Sequence, residues 1–204
     1  MKKEQLLKHL ETKGFSKKIL GSFALVKREN FIPENLQSDS YEDTALPIGN
    51  GQTISQPYTI AIMLSKLCLK KDQKVLEIGS GSGYVLALIS NIIGKRGKIF
   101  GMEVIENLAK KSKESLRNYK NIQIYSKSGF KGLPEKAPFD RILISAAVHR
   151  IPKTLMSQLK EKGILVAPKG SRFEQSIITI QRKGNKFIIK NKIPGFIFVP
   201  LVEE

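Results

Sequence analysis

The sequence predicts an α/β fold of the Rossmann-like type, with a mostly parallel central sheet flanked by helices. Two observations predict it: short apolar runs alternate with helical patterns between residues 57 and 168, and a glycine-rich turn follows the first apolar run. Alternation at this spacing produces βαβ units, whose parallel strands are covered on both faces. An N-terminal helical arm is expected before this core, and C-terminal antiparallel strands after it.

Each predicted element follows from local periodicity and from the turn residues that bound it. Helices are predicted over residues 1–30 with a break near Lys13 and Gly14, from Pro57 to about Leu67, from Gly83 to about Ile93, from Ile105 to about Asn118, and from Pro152 to Leu159. Strands are predicted over residues 74–78, 98–103, 122–125, 139–145 and 163–168. Near the end, two β-rich runs around Gly184 and Asn185 predict a hairpin, and FIFVPLV (196–202) a last strand.

The composition is that of a globular protein with a strong basic excess. Of 204 residues, 41% are hydrophobic, and 35 Lys and Arg stand against 18 Asp and Glu, a formal charge of +17. Such a charge favours anionic partners, nucleic acid among them. The lysines are scattered, however, with no arginine-rich block and no tryptophan, so nucleic acid is a possible partner that the sequence does not favour.

The sequence predicts neither a membrane span nor a signal peptide. No apolar run approaches the roughly 18 residues that cross a bilayer, and residues 1–15 have the pattern of an amphipathic helix. The single cysteine, Cys68, lies in an apolar helical pattern and is expected to be a buried structural thiol. We therefore expect a cytoplasmic protein. We expect no metal site, because His, Cys and carboxylates do not cluster at ligand spacing.

The most informative motif is VLEIGSGSGY (75–84), in which a strand enters a glycine-rich turn and a helix leaves it. Glycine lets the main chain turn tightly and lets a ligand approach the backbone closely. Tyr84 stands where a dinucleotide fingerprint needs its last glycine. Glu103, at the end of the next predicted strand, can accept hydrogen bonds from both hydroxyls of a ribose. S-adenosylmethionine, a nucleoside without a pyrophosphate, fits this pattern; the alternative is a structural turn that binds nothing.

A second motif, GQTISQPYTIAIML (51–64), puts hydroxyls and amides directly before an apolar helix. Ser55 or Gln56 would cap that helix, with Pro57 in its first turn. Alternatively, hydroxyls at the helix N-terminus would hold an anion, which the helix dipole favours. The residues alone leave both alternatives open.

LPIGNGQTISQPYTIAIM followed by VLEIGSGSGY closely resembles the protein-L-isoaspartate (D-aspartate) O-methyltransferase family. The resemblance covers nearly the whole chain and includes VKRENFIPENLQSDSYEDTALP upstream and APFDRILISAA, IPKTLMSQLKEKGILVAPKG and FVPLV downstream. It implies a Rossmann-like methyltransferase with S-adenosylmethionine as cofactor. It also implies protein repair: methyl transfer to the α-carboxylate of an L-isoaspartyl residue in a damaged protein, after which the ester collapses to a succinimide.

The resemblance further implies roles for single residues and segments. Ser55, with Thr53 beside it, would position the substrate carboxylate, which is ionised at pH 7 and needs no general base. The residues implied to bind the cofactor are Glu77, Gly79, Ser80, Gly81, Gly83, Glu103, Ser128 and Gly129. The single domain of residues 1–204 would consist of a helical arm and substrate-side loop (1–56), a cofactor-binding core (57–170) and a β extension (171–204). A monomer is expected.

One departure from the family pattern concerns the turn after the third strand of the core. Lys127-Ser128-Gly129 stands where the family has Gly-Asp-Gly, whose Asp reaches the adenine amino group. The neutral hydroxyl of Ser128 predicts weaker cofactor binding, by up to roughly tenfold. The alternatives are therefore a diverged methyltransferase acting on nucleic acid or another carboxylate, and a weakly active cofactor-binding relative. Against nucleic acid, the sequence lacks an Asn/Asp-Pro-Pro-aromatic motif, and its one cysteine lies on a predicted helix.

Overall fold

A computed structural model describes residues 1–202 of the chain. Its strands are β1 (Leu46–Gly49), β2 (Gln52–Ile54), β3 (Lys74–Ile78), β4 (Lys98–Glu103), β5 (Ile122–Ser126), β6 (Phe139–Ile144), β7 (Leu159–Gly170), β8 (Gln175–Lys183) and β9 (Lys186–Phe196). Its helices are α1 (Lys3–Thr12), α2 (Lys17–Leu25), α3 (Pro57–Leu67), α4 (Tyr84–Ile93), α5 (Glu106–Ser115) and α6 (Lys153–Ser157). Short 3₁₀ helices span Arg28–Phe31, Glu34–Asp39 and Pro134–Lys136.

Within residues 1–202, seven strands form the central sheet in the order β5-β4-β3-β6-β7-β8-β9, while β1 and β2 form a separate antiparallel hairpin. The strands from β3 to β7 run parallel, and β8 and β9 are antiparallel to their neighbours. The predicted mostly parallel sheet with C-terminal antiparallel strands is therefore confirmed. Because β4 and β6 flank β3 on opposite sides, the chain reverses its direction of winding there, where α/β folds open a crevice at the strand ends.

Apolar side chains cover both faces of the sheet in two clusters. One joins α1, α2, α3 and α4 to the sheet through residues such as Leu10, Phe23 and Leu64. The other packs Phe139 and Leu155 on the opposite face. Burial on both faces explains why β3 is an almost uninterrupted apolar run in the sequence.

The environment of Cys68 corrects the prediction of a buried thiol. Helix α3 ends at Leu67, and Cys68 follows in a left-handed conformation with φ 49° and an exposed side chain. The buried Arg141 on β6 donates from Nε to the carbonyl of Leu67 at 2.6 Å and from Nη2 to the carbonyl of Cys68 at 3.1 Å. These bonds terminate the helix before the thiol can turn back into the core.

The predicted last strand over residues 196–202 is wrong. Pairing of β9 ends at Phe196, and the amide side chain of Gln175 then bonds the backbone N–H and carbonyl of Phe198 at 2.7 and 3.3 Å. The segment over residues 197–202, which we call the tail, crosses the ends of the parallel strands instead. The backbone N–H of Ala147 donates to the carbonyl of Val199 at 2.8 Å, and its carbonyl accepts from Leu201 at 2.8 Å.

Two other segments differ in detail from the predictions. Helix α6 ends at Ser157 rather than Leu159, because Leu159 already pairs with Phe139 as the first residue of β7. The irregular connection over residues 31–56 contains the β1–β2 hairpin and a 3₁₀ helix.

Across residues 1–202, none of the helices has both the length and the apolar character needed to span a bilayer. The cytoplasmic location and the division of the domain into three segments stay predictions of the sequence.

Candidate active site

A cavity lies at the carboxyl ends of β3, β4 and β6, where the winding reverses. It measures about 580 Å³, counting space open to solvent, and its walls include Gly79, Gly81, Glu103, Gly129 and Ser145. The β1–β2 hairpin closes one side of it, and the tail, from Val199 to Val202, closes another. We call this space the cofactor cavity.

The glycine-rich turn borders the cofactor cavity with its main chain. Gly79 and Gly81 have φ of 72° and 52°, a region that glycine adopts without strain. The backbone N–H groups of Gly79 and Ser80 donate to the carbonyl of Met102 on β4 at 2.9 and 3.1 Å. These bonds fix the turn against the sheet, so that the backbone itself forms part of the wall.

Glu103 supports the same turn from the end of β4. One carboxylate oxygen accepts from the N–H of Gly81 at 2.8 Å, and the other accepts from the N–H of Ile105 at 2.9 Å. The side chain is only 6% exposed, yet it lines the cavity. An ionised carboxylate can accept about four hydrogen bonds, so both oxygens retain capacity for ribose hydroxyls. The turn contains no lysine that would bind a phosphate, and the carboxylate of Glu103 lies beside it. Both features fit S-adenosylmethionine.

A second, more polar cavity adjoins the first. It measures about 810 Å³, again counting space open to solvent, and it is lined by Ser55, Gln56 and Thr59 at the start of α3, by Asp43, and by the chain from Gly195 to Val199. Thr53, Ser145 and Val199 line both cavities. We call this space the acceptor cavity; a group bound in it would lie next to whatever occupies the first.

Asp43, and not Ser55, caps the N-terminus of α3. Its Oδ1 accepts from the N–H of Tyr58 at 2.8 Å, and its Oδ2 accepts from the side-chain amide of Gln56 at 3.2 Å. His9 Nε2 lies 3.4 Å from the same oxygen. A carboxylate of the chain itself therefore already lies at the positive end of the helix dipole.

The hydroxyls of Thr53 and Ser55 are consequently free to meet a ligand. Within residues 1–202 neither hydroxyl takes part in a hydrogen bond, and Ser55 makes no side-chain cap to α3. Both residues line the acceptor cavity, whereas Asp43 caps the helix; their role toward a ligand stays a prediction.

Arg28 lies behind the wall that carries Ser55. Its side chain is fully buried, and its guanidinium donates to the carbonyls of Ser40, Thr44 and Ser55 at 2.8, 3.0 and 3.1 Å. Burial lowers the pKa of Arg28, and the acidic and phenolic groups around it oppose that shift. Within residues 1–202, the guanidinium is therefore hydrogen-bonded to backbone carbonyls and to no carboxylate, and one of these carbonyls belongs to Ser55 in the wall of the acceptor cavity.

Glu77 lies in β3 below both cavities and lines neither of them. It is 1% exposed; Oε1 is hydrogen-bonded to the hydroxyl of Ser145 at 2.6 Å, and Oε2 has no partner within residues 1–202. Burial raises the pKa of Glu77 to about 8, the nearby charge of Glu103 adds to the rise, and the hydrogen bond from Ser145 opposes it.

The comparison with known families decides the class of the protein. The profile of the family described as "Protein-L-isoaspartate(D-aspartate) O-methyltransferase (PCMT)" matches residues 1–204. The chain belongs to this family. A protein-L-isoaspartate O-methyltransferase from Ignicoccus hospitalis is 39% identical over 208 residues, which cover 100% of this chain and 98% of that protein.

Solved structures of the protein-L-isoaspartate O-methyltransferase family have the same fold. One superposes with a TM-score of 0.92 at 27% identity; the match covers 99% of this chain and 66% of that one. Another, from Plasmodium falciparum in complex with S-adenosyl-L-homocysteine, superposes with a TM-score of 0.85 at 26% identity, with 98% of each chain covered.

The chain is therefore an S-adenosylmethionine-dependent methyltransferase that acts on protein substrates in repair. The predicted family, enzyme class and cofactor are confirmed, and the nucleic-acid alternative is not favoured.

Several residues implied by the family pattern do not border the cofactor cavity. Ser80 is buried against β4, with its hydroxyl close to Gly101, and has no partner there within residues 1–202. A Cβ at Gly83 would collide with Ser112 of α5 and with Leu116 directly after that helix, so this glycine serves the packing of α4 against α5. Neither position lines the cofactor cavity, and a role for either in binding the cofactor stays a prediction.

At the departure from the family pattern, Gly129 lines the cofactor cavity but Ser128 does not. The hydroxyl of Ser128 accepts instead from the N–H of Phe130 at 3.3 Å. The effect of Ser128 on cofactor binding stays a prediction.

Sequence reasoning missed Ser145, Val199 and Asp43 as parts of the site. Ser145 had a usable signal, because a polar residue directly after a parallel strand lies at the edge where the other strand ends meet. Val199 and Asp43 carried no comparable local signal, since each reaches the site through a segment whose path the pattern did not reveal.

Proposed function

We propose that the methyl acceptor is the α-carboxylate of an L-isoaspartyl residue, bound in the acceptor cavity by the hydroxyls of Ser55 and Thr53. The observation that carries this proposal is the common wall of the two cavities, to which Thr53, Ser145 and Val199 contribute. A carboxylate held there lies next to the cofactor cavity. The names of the relatives, protein-L-isoaspartate O-methyltransferases, support the same acceptor.

The acceptor needs positioning rather than deprotonation. A peptide carboxylate is ionised at pH 7, so methyl transfer to it requires no general base. When bound, S-adenosylmethionine supplies a methyl group activated by the positive sulfonium. Asp43 lines the acceptor cavity and is already bonded to Tyr58 and Gln56. Because the acceptor is ionised before it binds, there is no proton for Asp43 to remove from it.

Neutral donors suit this task. Hydroxyls hold an anion with charge-assisted hydrogen bonds but leave most of the charge on the nucleophilic oxygen. The cation of Arg28 acts from behind the wall, where the carbonyl of Ser55 separates it from the cavity. It favours an anionic acceptor electrostatically without forming an ion pair with it.

The tail excludes water from the reacting groups. Val199 contributes to both cavities, and the bonds of Ala147 to residues 199 and 201 hold it across the strand ends. Removing water strengthens the hydrogen bonds to the carboxylate and leaves its oxygen free to attack the methyl group.

Transfer of tritium from labelled S-adenosylmethionine tests the acceptor. We expect label in a peptide containing L-isoaspartate, and none above background in the matched aspartyl peptide or in RNA. Equal labelling of the two peptides would exclude the proposed acceptor, and labelling of RNA alone would revive the nucleic-acid alternative.

We also propose that the enzyme acts as a monomer. The sequence predicts this state, and the candidate donors Thr53, Ser55 and Ser145 lie together in one copy of the chain. Light scattering at assay concentrations should give a mass near 22.8 kDa; activity that rises with the fraction of dimer would contradict this.

A further inference from the structure

Within residues 1–202, Ser145 is the one hydroxyl-bearing residue that borders both cavities and is also bonded to a buried carboxyl group. It follows β6, and its backbone N–H donates to the carbonyl of Ile78 at 2.8 Å, which fixes it beside the end of β3. Its Oγ lies 2.6 Å from Oε1 of Glu77. The position of its oxygen is therefore set by the sheet, and only the direction of its proton is free.

We propose that Ser145 is a third hydroxyl donor to the acceptor carboxylate, and that Glu77 is the positioning residue that turns its proton toward the acceptor cavity. This inference rests on the proposed function, because it takes the carboxylate to be the acceptor. Glu77 contacts neither cavity and acts only through Ser145.

The direction of the hydrogen bond depends on the protonation of Glu77. When the carboxyl is protonated it donates to Ser145 Oγ, and the serine O–H points away from it, into the cavities. When the carboxylate is ionised it can only accept, so Ser145 must donate to it and presents its lone pairs to the acceptor. Lone pairs repel a carboxylate, so ionisation of Glu77 converts a favourable contact into an unfavourable one.

The surroundings of Glu77 favour the protonated form near neutrality. β4 contributes the like charge of Glu103. β6 contributes Arg141, but its guanidinium bonds the carbonyls of Leu67, Cys68 and Asp140 instead. With Oε2 lacking a partner within residues 1–202, burial raises the pKa of Glu77 to about 8. As the pH rises past that value, the O–H of Ser145 therefore turns toward Glu77 and no longer donates into the acceptor cavity.

Two substitutions separate this role from a structural one. Glu77→Gln keeps the shape of the side chain and places an uncharged amide whose NH2 group can donate to Ser145 at every pH. Ser145→Ala removes the hydroxyl whose orientation Glu77 is proposed to set. Ser157→Ala, on α6 and outside both cavities, is the matched control for loss of a serine hydroxyl.

The experiment measures KM and kcat for an isoaspartyl peptide from about pH 6 to about pH 9, at saturating S-adenosylmethionine, with calorimetric titration of S-adenosylhomocysteine alongside. In the wild type, KM should rise above about pH 8. In Glu77→Gln it should stay flat at the neutral wild-type value. In Ser145→Ala it should be roughly tenfold higher and also flat, with a clearly smaller loss of affinity for S-adenosylhomocysteine, whose cavity Ser145 also lines.

The cofactor's own α-amino group titrates near pH 8, so the difference between profiles, and not their absolute shape, is decisive. Coincident profiles of wild type and Glu77→Gln would overturn the inference. So would an equal loss of peptide and S-adenosylhomocysteine binding in Ser145→Ala. If the wild type labels the aspartyl and isoaspartyl peptides equally, the proposed function fails instead, which is a distinguishable outcome.

Discussion

The guanidinium of Arg28 donates to the backbone carbonyl of Ser55, 3.1 Å away, and so connects the N-terminal arm to the candidate acceptor-binding residue. The same buried group holds the carbonyls of Ser40 and Thr44 in the connection before β1. Segments that are distant in the chain thus meet at one side chain, and the backbone of Ser55 takes its position from it.

Arg28→Met should lower the free energy of unfolding by about 2–3 kcal/mol, because it leaves buried carbonyls without donors while removing only one desolvated charge. Urea unfolding measures the change. Arg96→Met, at an exposed ion pair with Asp72, is the control and should change stability little. Equal effects of the two substitutions would show that Arg28 does not organise this region.

Ser55→Ala should lower kcat/KM for an isoaspartyl peptide by about 10- to 100-fold, the range for loss of a hydrogen bond to a charged group. Binding of S-adenosylhomocysteine should not change, since Ser55 lines only the acceptor cavity. Ser65→Ala, on an exposed position of α3, controls for effects on the helix. Wild-type activity in Ser55→Ala would leave this hydroxyl without a role in the reaction.

Glu103→Gln should weaken binding of S-adenosylhomocysteine by roughly tenfold or more, because the amide carries no charge and its nitrogen cannot accept from a backbone N–H. Calorimetric titration measures this directly. Glu106→Gln, exposed in the first turn of α5, is the matched control. An unchanged dissociation constant in Glu103→Gln would remove Glu103 from the cofactor site.

Ser128→Asp should tighten binding of S-adenosylhomocysteine by up to roughly tenfold, if the family's acidic residue reaches the adenine from this turn. The new carboxylate can still accept from Phe130, as Ser128 does, so the turn should persist. Weaker binding in the same titration would show that the turn places position 128 away from the adenine, in keeping with its absence from the cavity wall.

Glu77→Gln should stabilise the protein increasingly as the pH rises. Burial raises the pKa of Glu77 from 4.5 to about 8, so between these values the folded state keeps a proton that the unfolded chain releases. Wild-type stability therefore falls with rising pH across this window, by up to about 1.4 kcal/mol per pH unit. Urea unfolding of both proteins at several pH values should show diverging stabilities; parallel curves would argue against a buried protonated carboxyl.

Much of the cofactor side was predictable because its determinants are local. The strand before the glycine turn, the turn itself and Glu103 at the next strand end lie in neighbouring elements, and their order alone brings them to one edge of a parallel sheet. Gly79, Gly81 and Glu103 accordingly border the cofactor cavity.

The acceptor side was less predictable because it is assembled from distant segments. Asp43 reaches Tyr58 only because the β1–β2 hairpin returns the chain to the start of α3. The tail was mistaken for a strand because FIFVPLV has strand composition. Its path is set instead by the side chain of Gln175, which bonds Phe198 in place of a neighbouring strand.

Glu103 holds the N–H groups of Gly81 and Ile105 with its own oxygens, so hydrogen bonds of the protein itself already fix the turn at the nucleoside end of the site. Little ordering entropy is lost on occupation. The spent cofactor, S-adenosylhomocysteine, keeps the same ribose and meets the same rigid frame. We therefore expect S-adenosylhomocysteine to inhibit the enzyme, so that the rate of repair depends on how quickly this product is removed.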